Sequence, residues 1–161
     1  MNDFQTTYQL SRGRFDAEVF PLSQEQLNWR SHPSSLTAGE MALHLAGVEI
    51  WFSSQILKTE LNPSETLLTR CATEGVVNEL PFPFGAAEIT AKFVQNSLNT
   101  ARDFATRLFD ADSPEIRTVE LQSALGPIIT AEGAMARFSF HPAYHHGQVY
   151  LLMTAPDFPL A

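Results

Sequence analysis

The stretch Phe138-Ser-Phe-His141-Pro142-Ala-Tyr144-His145-His146-Gly-Gln148-Val-Tyr-Leu-Leu152 decides how the chain is read. Three of the five histidines fall within six positions of an otherwise apolar segment. His141 and His145 are four residues apart, so on a helix their rings stand on one face, about one turn from each other. Two imidazoles so placed can hold one metal ion between them, as zinc-binding helices do. A third ligand must come from elsewhere, and the chain offers His44 on a separate apolar segment with helical spacing.

The same pair has a blander reading. A bare His-x-x-x-His also arises by chance, and a lone helical histidine is usually a surface or hydrogen-bonded core residue. The metalloprotease pattern needs a glutamate directly after its first histidine, and Pro142 stands there instead. Pro142 removes one helical hydrogen bond and crowds the carbonyl of Phe138. Two outcomes are open: a kink that tilts His141 toward the centre, or a break that spoils the pair. His146 points about 100° away from His145 on a helix, so it is read as a group supporting the ligands from behind, an interface residue or a surface residue. His32, in a loop beside Pro33, is read as neither ligand nor catalyst.

Outward from this stretch, the chain reads as helices. Residues 3–20 keep Phe4, Tyr8, Phe15 and Val19 near one face, and Pro21 closes the segment. Ser23 with Gln26 has the form of an N-cap for a single turn that brings Leu27 and Trp29 to the core. Thr37 and Glu40 complete a capping box for a second long helix. It carries Met41, His44, Leu45, Val48, Trp51, Phe52 and Ile56, and Asn62-Pro63 ends it. Residues 62–85 form a long connection with a short helix over 66–74. A third helix is expected over 86–109, with Ser97 at one inner position. Asp110 to Pro114 is a turn cluster, and the runs 118–122 and 127–130 make a small hairpin. The fourth helix opens near Thr130 and runs to about Met153. The expectation is an all-α, four-helix bundle forming one domain over residues 1–161.

Composition narrows the function. A net charge of −8 with ten basic residues disfavours a phosphate backbone, so nucleic acid is not an expected partner. No apolar run of eighteen residues occurs, so no membrane span is expected. The start of the chain shows neither a basic region nor an apolar core of a secretory signal. Cys71 is the only cysteine, which suits a reducing, cytoplasmic setting. With no histidine partner in view, it reads as a small buried residue rather than a nucleophile.

His141-x-x-x-His145-His146-Gly-Gln148 resembles the His-x-x-x-His-Arg-Gly-Gln signature of the DinB superfamily. Upstream, Leu22-Ser-x-Glu-Gln-Leu-x-Trp29-Arg30 followed by Glu40-x-x-x-His44-Leu-x-x-x-Glu49-x-Trp51 is similar to that family's first half. Order and spacing agree across nearly the whole chain. The resemblance implies an up-down-down-up bundle with a long crossover between its second and third helices. It implies a divalent metal held by His44, His141 and His145, and a homodimer. It implies a thiol S-transferase or isomerase that uses a low-molecular-weight thiol on a small electrophilic substrate. DNA binding is not implied. The chain departs from the signature at His146, where the family has an Arg that can grip a carboxylate with two bonds.

Zinc, nickel, iron and manganese all accept imidazole. A three-histidine site leaves coordination positions open, as catalytic sites do, and can deprotonate a bound thiol or water near neutral pH. Glu49, Gln148 and Tyr144 are candidates to orient a ligand through its free ring nitrogen. Glu49 lies about 140° from His44 in helical projection, so a solvent-facing or inter-helix salt bridge is its competing role. A non-catalytic dimeric binding protein and a metal-dependent hydrolase are the rival classes.

Overall fold

The computed structural model describes residues 3–123 and 126–160; Met1 and Asn2, at the start searched for a secretory signal, lie outside them. The chain opens in α1 (Asp3–Val19) and turns through α2 (Gln24–Asn28) into α3 (Ala38–Leu57). Both later helices start on full capping boxes, Ser23 with Gln26 and Thr37 with Glu40. Each box satisfies two backbone N–H groups that the first turn would otherwise leave unpaired. Leu27 is buried, and Trp29 meets Phe158 edge to face with ring centroids 5.5 Å apart.

α3 is buried almost all round, from Ala38 to Ser54 with only Trp51 partly open. A helix that is apolar on every face belongs in the middle of a bundle. It ends at Leu57 because Lys58 adopts the left-handed conformation (φ 51°). Asn62-Pro63 therefore does not end this helix; it begins the next one. Asn62 caps α4 (Pro63–Arg70) in a box with Glu65, and Pro63 takes the first helical position. Proline suits that position because its missing N–H would be unpaired there anyway. The short helix thus covers 63–70 rather than 66–74.

α4 lies so close on α3 that a Cβ on Gly47 would stand 2.5 Å from the Leu68 carbonyl oxygen. That approach needs glycine. It also brings Cys71, just past the end of α4, alongside His44.

The third long helix, α5 (Ala91–Asp110), starts five residues later than its spacing suggests. Asn28 Nδ2 donates to the Ile89 carbonyl at 2.9 Å, and buried Ile89 packs against Gly39. These long-range contacts pin 86–89 as a turn, and Thr90 Oγ1 accepts from Phe93 N to cap the helix. After α6 (Pro114–Arg117), β1 (Glu120–Gln122) and β2 (Ile128–Thr130) pair antiparallel, Leu121 opposite Ile129. Those two side chains lean on the core. Thr130 then caps α7 (Ala131–Met153), which runs unbroken through Pro142.

Contacts along the helices give their directions. Ser11 bonds Ser139 and Glu18 faces His146, so α1 and α7 run parallel. Gly39 meets Ile89, and Arg12 bridges Glu49 of α3 and Leu98 of α5, so α3 and α5 run parallel. Phe52 packs on Phe138 while His44 meets His145, so α3 and α7 are antiparallel. The result is an all-α, up-down-down-up bundle with a small hairpin, and residues 58–90 form the crossover.

An ionic knot ties three of the helices together. Arg12, 1% exposed, donates from Nε to Glu49 Oε1 at 3.1 Å and from Nη2 to the Leu98 carbonyl at 2.6 Å. It also pairs with Asp16, which in turn pairs with Arg102. Tyr8 Oη donates to Glu49 Oε2 at 3.1 Å. Burial pushes the Glu49 carboxyl above its ordinary range, and Arg12 and Tyr8 oppose that shift.

Candidate metal centre

His44 comes from α3, and His141 and His145 come from one face of α7, because that helix survives Pro142. The His44 ring lies 5.1 Å from each of the other two, and those two lie 4.6 Å apart, with planes crossing at 67–81°. Each residue is 3% exposed. One ligand nitrogen from each lies within 4.8 Å of the others. Ion–nitrogen bonds of about 2.0–2.1 Å place tetrahedral ligand atoms about 3.3 Å apart, so modest ring rotations close the set.

The hydrogen bonds fix which ring nitrogens are free. His44 Nδ1–H donates to the Cys71 carbonyl at 2.9 Å, which leaves His44 Nε2 bare. Gln148 Nε2 donates to Tyr144 Oη at 3.2 Å, so Gln148 Oε1 accepts from His145 Nδ1–H at 2.7 Å. His145 Nε2 is then bare as well. It lies 2.9 Å from His141 Nε2, so His141 carries the hydrogen between them. His141 Nδ1 is buried with no partner.

A buried ring nitrogen without a partner costs about 1–3 kcal/mol and calls for an explanation. Metal-ligating histidines characteristically give their second N–H to a carbonyl or side-chain oxygen, as His44 and His145 do here. Three converging imidazoles, two of them oriented in this way and two crowded onto one hydrogen, fit a divalent ion. Among the described residues these three histidines are close enough to hold one.

All three are held neutral, the form a metal requires. Burial lowers His141 to about 2, helped by His145, His44 and Arg137. Burial and His44 lower His145 to about 4, against the bond to Gln148. Burial also lowers His44, against its bond to Cys71.

This sets a pH dependence for the metal-free protein. The unfolded chain protonates these rings below about pH 6.5, while the folded chain does not. The unfolded state therefore binds more protons as pH falls, and that favours unfolding. The stability is present in full above about pH 6.5 and declines toward pH 4. His145 alone accounts for about 3 kcal/mol of that decline, from the gap between about 6.5 and its folded value of about 4. Denaturant melts between pH 7.5 and 4.5 should slope less steeply for His145→Gln than for the wild type. Parallel profiles would contradict the burial of this ring in neutral form.

The three predicted ligands meet, and Gln148 and Tyr144 stand behind His145 as expected. Glu49 does not join them. It is fully buried in the Arg12 knot, on another face of α3, as its helical projection from His44 requires. His146 faces Glu18 at 3.9 Å and does not reach the cluster. His32 is exposed, with Nδ1 accepting from Ser34 N at 3.2 Å. The Cys71 thiol is buried and pushed up to about 12 by burial and Glu74, which suits a packed residue and not a nucleophile.

Two participants escape the sequence reading. The Cys71 carbonyl orients His44, and no sequence pattern announces a backbone acceptor. Arg137 stands four residues before His141, and that spacing alone was enough to place it on the same face of α7. A cavity of about 450 Å³ opens onto the histidines, walled by Leu36, Val76, Val77, Arg137, Phe140 and Tyr144. No family model matches this chain, and no curated protein matches it. No helix among the described residues is long and apolar enough to cross a membrane.

Proposed function

We propose that this chain is a divalent-metal-dependent enzyme whose centre is His44, His141 and His145, and that it transfers a low-molecular-weight thiol to a small electrophile. The observation that carries the proposal is the convergence of three buried, neutral imidazoles at the floor of an open cavity. A structural metal site is closed by four protein ligands; three ligands facing a cavity leave room for a reactant. The resemblance to the DinB superfamily supports the thiol as that reactant.

A divalent ion at this centre supplies a Lewis acid that lowers the pKa of a thiol or water beside it. The chain's own residues do the rest. The Cys71 carbonyl and Gln148 fix the direction of two ligand rings, and burial keeps all three rings unprotonated. Leu36, Val76, Val77 and Phe140 keep the cavity wall apolar, which strengthens electrostatic interactions within it. In the reaction, sulfur loses its proton to solvent and forms a bond to the electrophilic carbon. The leaving group departs with the bonding pair.

Protein loaded in turn with zinc, nickel, iron(II) and manganese should accelerate the addition of cysteine or glutathione to a panel of alkylating electrophiles. His145→Ala should not. Loss of electrophile at a rate independent of added thiol would point to hydrolysis instead. No acceleration by any fully metal-loaded form would overturn the enzymatic reading.

A further inference from the structure

Arg137 plays no part in holding the three histidines, yet it lines their cavity. Its side chain is half-buried, and its Nε is buried without a hydrogen-bond partner. Among the described residues no carboxylate forms an ion pair with it. Burial alone acts on its charge. None of the residues lining the cavity is Asp or Glu.

A guanidinium taken partly out of water loses hydration that only a partner restores. A dication on neutral imidazoles would add charge of the same sign a few residues away. The cavity therefore offers cationic groups and supplies no anion. Arg137 also lines a smaller pocket of about 20 Å³ beside Trp51, Phe52 and Ser123, with room for little more than a water. The histidine cavity is the larger of the two, and its volume falls in the range of small-molecule sites.

The shape of the charge narrows the ligand. A guanidinium presents a planar fork that matches a carboxylate with two bonds. Among the described residues Arg137 is the only Lys or Arg lining the cavity, and its neighbours include Leu36, Val76, Val77 and Phe140. A doubly charged phosphate would leave oxygens facing those apolar walls, whereas a monocarboxylate with an apolar body fills them. We propose that the cavity binds a small apolar monocarboxylate, its carboxylate on Arg137 and its remaining end toward the three histidines. The placement of the reactive end rests on the metal-centre reading; the carboxylate contact stands without it.

Calorimetric titration of metal-free protein at pH 7.5 tests this, because the histidines are then neutral and Arg137 is the cation in the cavity. Benzoate should bind at least about tenfold more tightly than benzamide, the scale of a hydrogen bond to a charged group. Arg137→Gln should erase that preference while still taking up zinc in full, and Arg137→Lys should keep part of it. A benzoate preference in protein that takes up no zinc would uphold the carboxylate site and sink the metal centre. Equal binding of benzoate and benzamide to the wild type would overturn the proposal, whether or not the variants fold. So would an unchanged preference in Arg137→Gln, or inorganic phosphate that binds more tightly than benzoate.

Discussion

Replacing Arg12 with methionine is expected to lower the unfolding free energy by about 3–5 kcal/mol, the scale of a buried ion pair that loses one partner. Among the described residues Arg12 is the only cation that touches Glu49, and Glu49 is fully buried. Methionine fills similar space and keeps helix propensity, so the loss reports on charge rather than on a cavity. Asp16 retains Arg102 and suffers less. Glu49 has a partial escape, since burial already pushes its carboxyl up and without Arg12 it takes a proton more readily. A carboxyl whose folded value is raised holds its proton in the folded state when the unfolded state has released it. Stability therefore falls as pH rises out of the ordinary carboxylate range, and Arg12→Met should lose more of it over that rise than the wild type does. Adding Glu49→Gln should recover at least about 1 kcal/mol through the pair's coupling. A loss within about 0.5 kcal/mol, with no recovery in the double variant, would show that the knot does not hold α1, α3 and α5 together.

Replacing His145 with alanine is expected to weaken divalent-metal binding by more than about 100-fold. Loss of a group that merely orients a ligand costs about 10–100-fold, and the proposal makes His145 one of three ligands. Alanine is the best helix former, so α7 should persist. Removing a buried ring also removes its acid sensitivity, so the metal-free variant should keep more of its stability at pH 5 than the wild type does. Competition against a chromophoric chelator at pH 7.5 measures the first effect, and circular dichroism checks the fold. Affinity within about threefold of the wild type in a folded variant would remove His145 from the ligand set.

Local signals carried much of the fold. Thr37 with Glu40 and Ser23 with Gln26 announce helix starts because a side chain three residues away completes each cap, and both boxes form. Asn62 caps α4 rather than ending α3, and its sequence does not distinguish the two because asparagine is equally at home after a helix and before one, while Lys58, which stops α3, carries no turn signature. The start of α5 depends on Asn28, sixty-one residues away, donating to Ile89, a contact that spacing within the helix cannot register. Pro142 left two geometries open, and the packing of Phe138 and Ser139 against α1 holds the turn before it in place. The site was legible for a related reason. His141 and His145 are placed by helix period alone, whereas their meeting with His44 needed the pairing of α3 with α7. Nothing local marks Arg12 as a tie between helices, since Glu49 sits on a different one.

X-ray absorption at the zinc edge, on protein loaded with zinc and dialysed at pH 7.5, tests the central claim most directly. It should show one ion per chain with three imidazole nitrogens at about 2.0–2.1 Å and the remaining position taken by an exchangeable light atom. Zinc well below one per chain, or a first shell without the scattering of three imidazole rings, would contradict it.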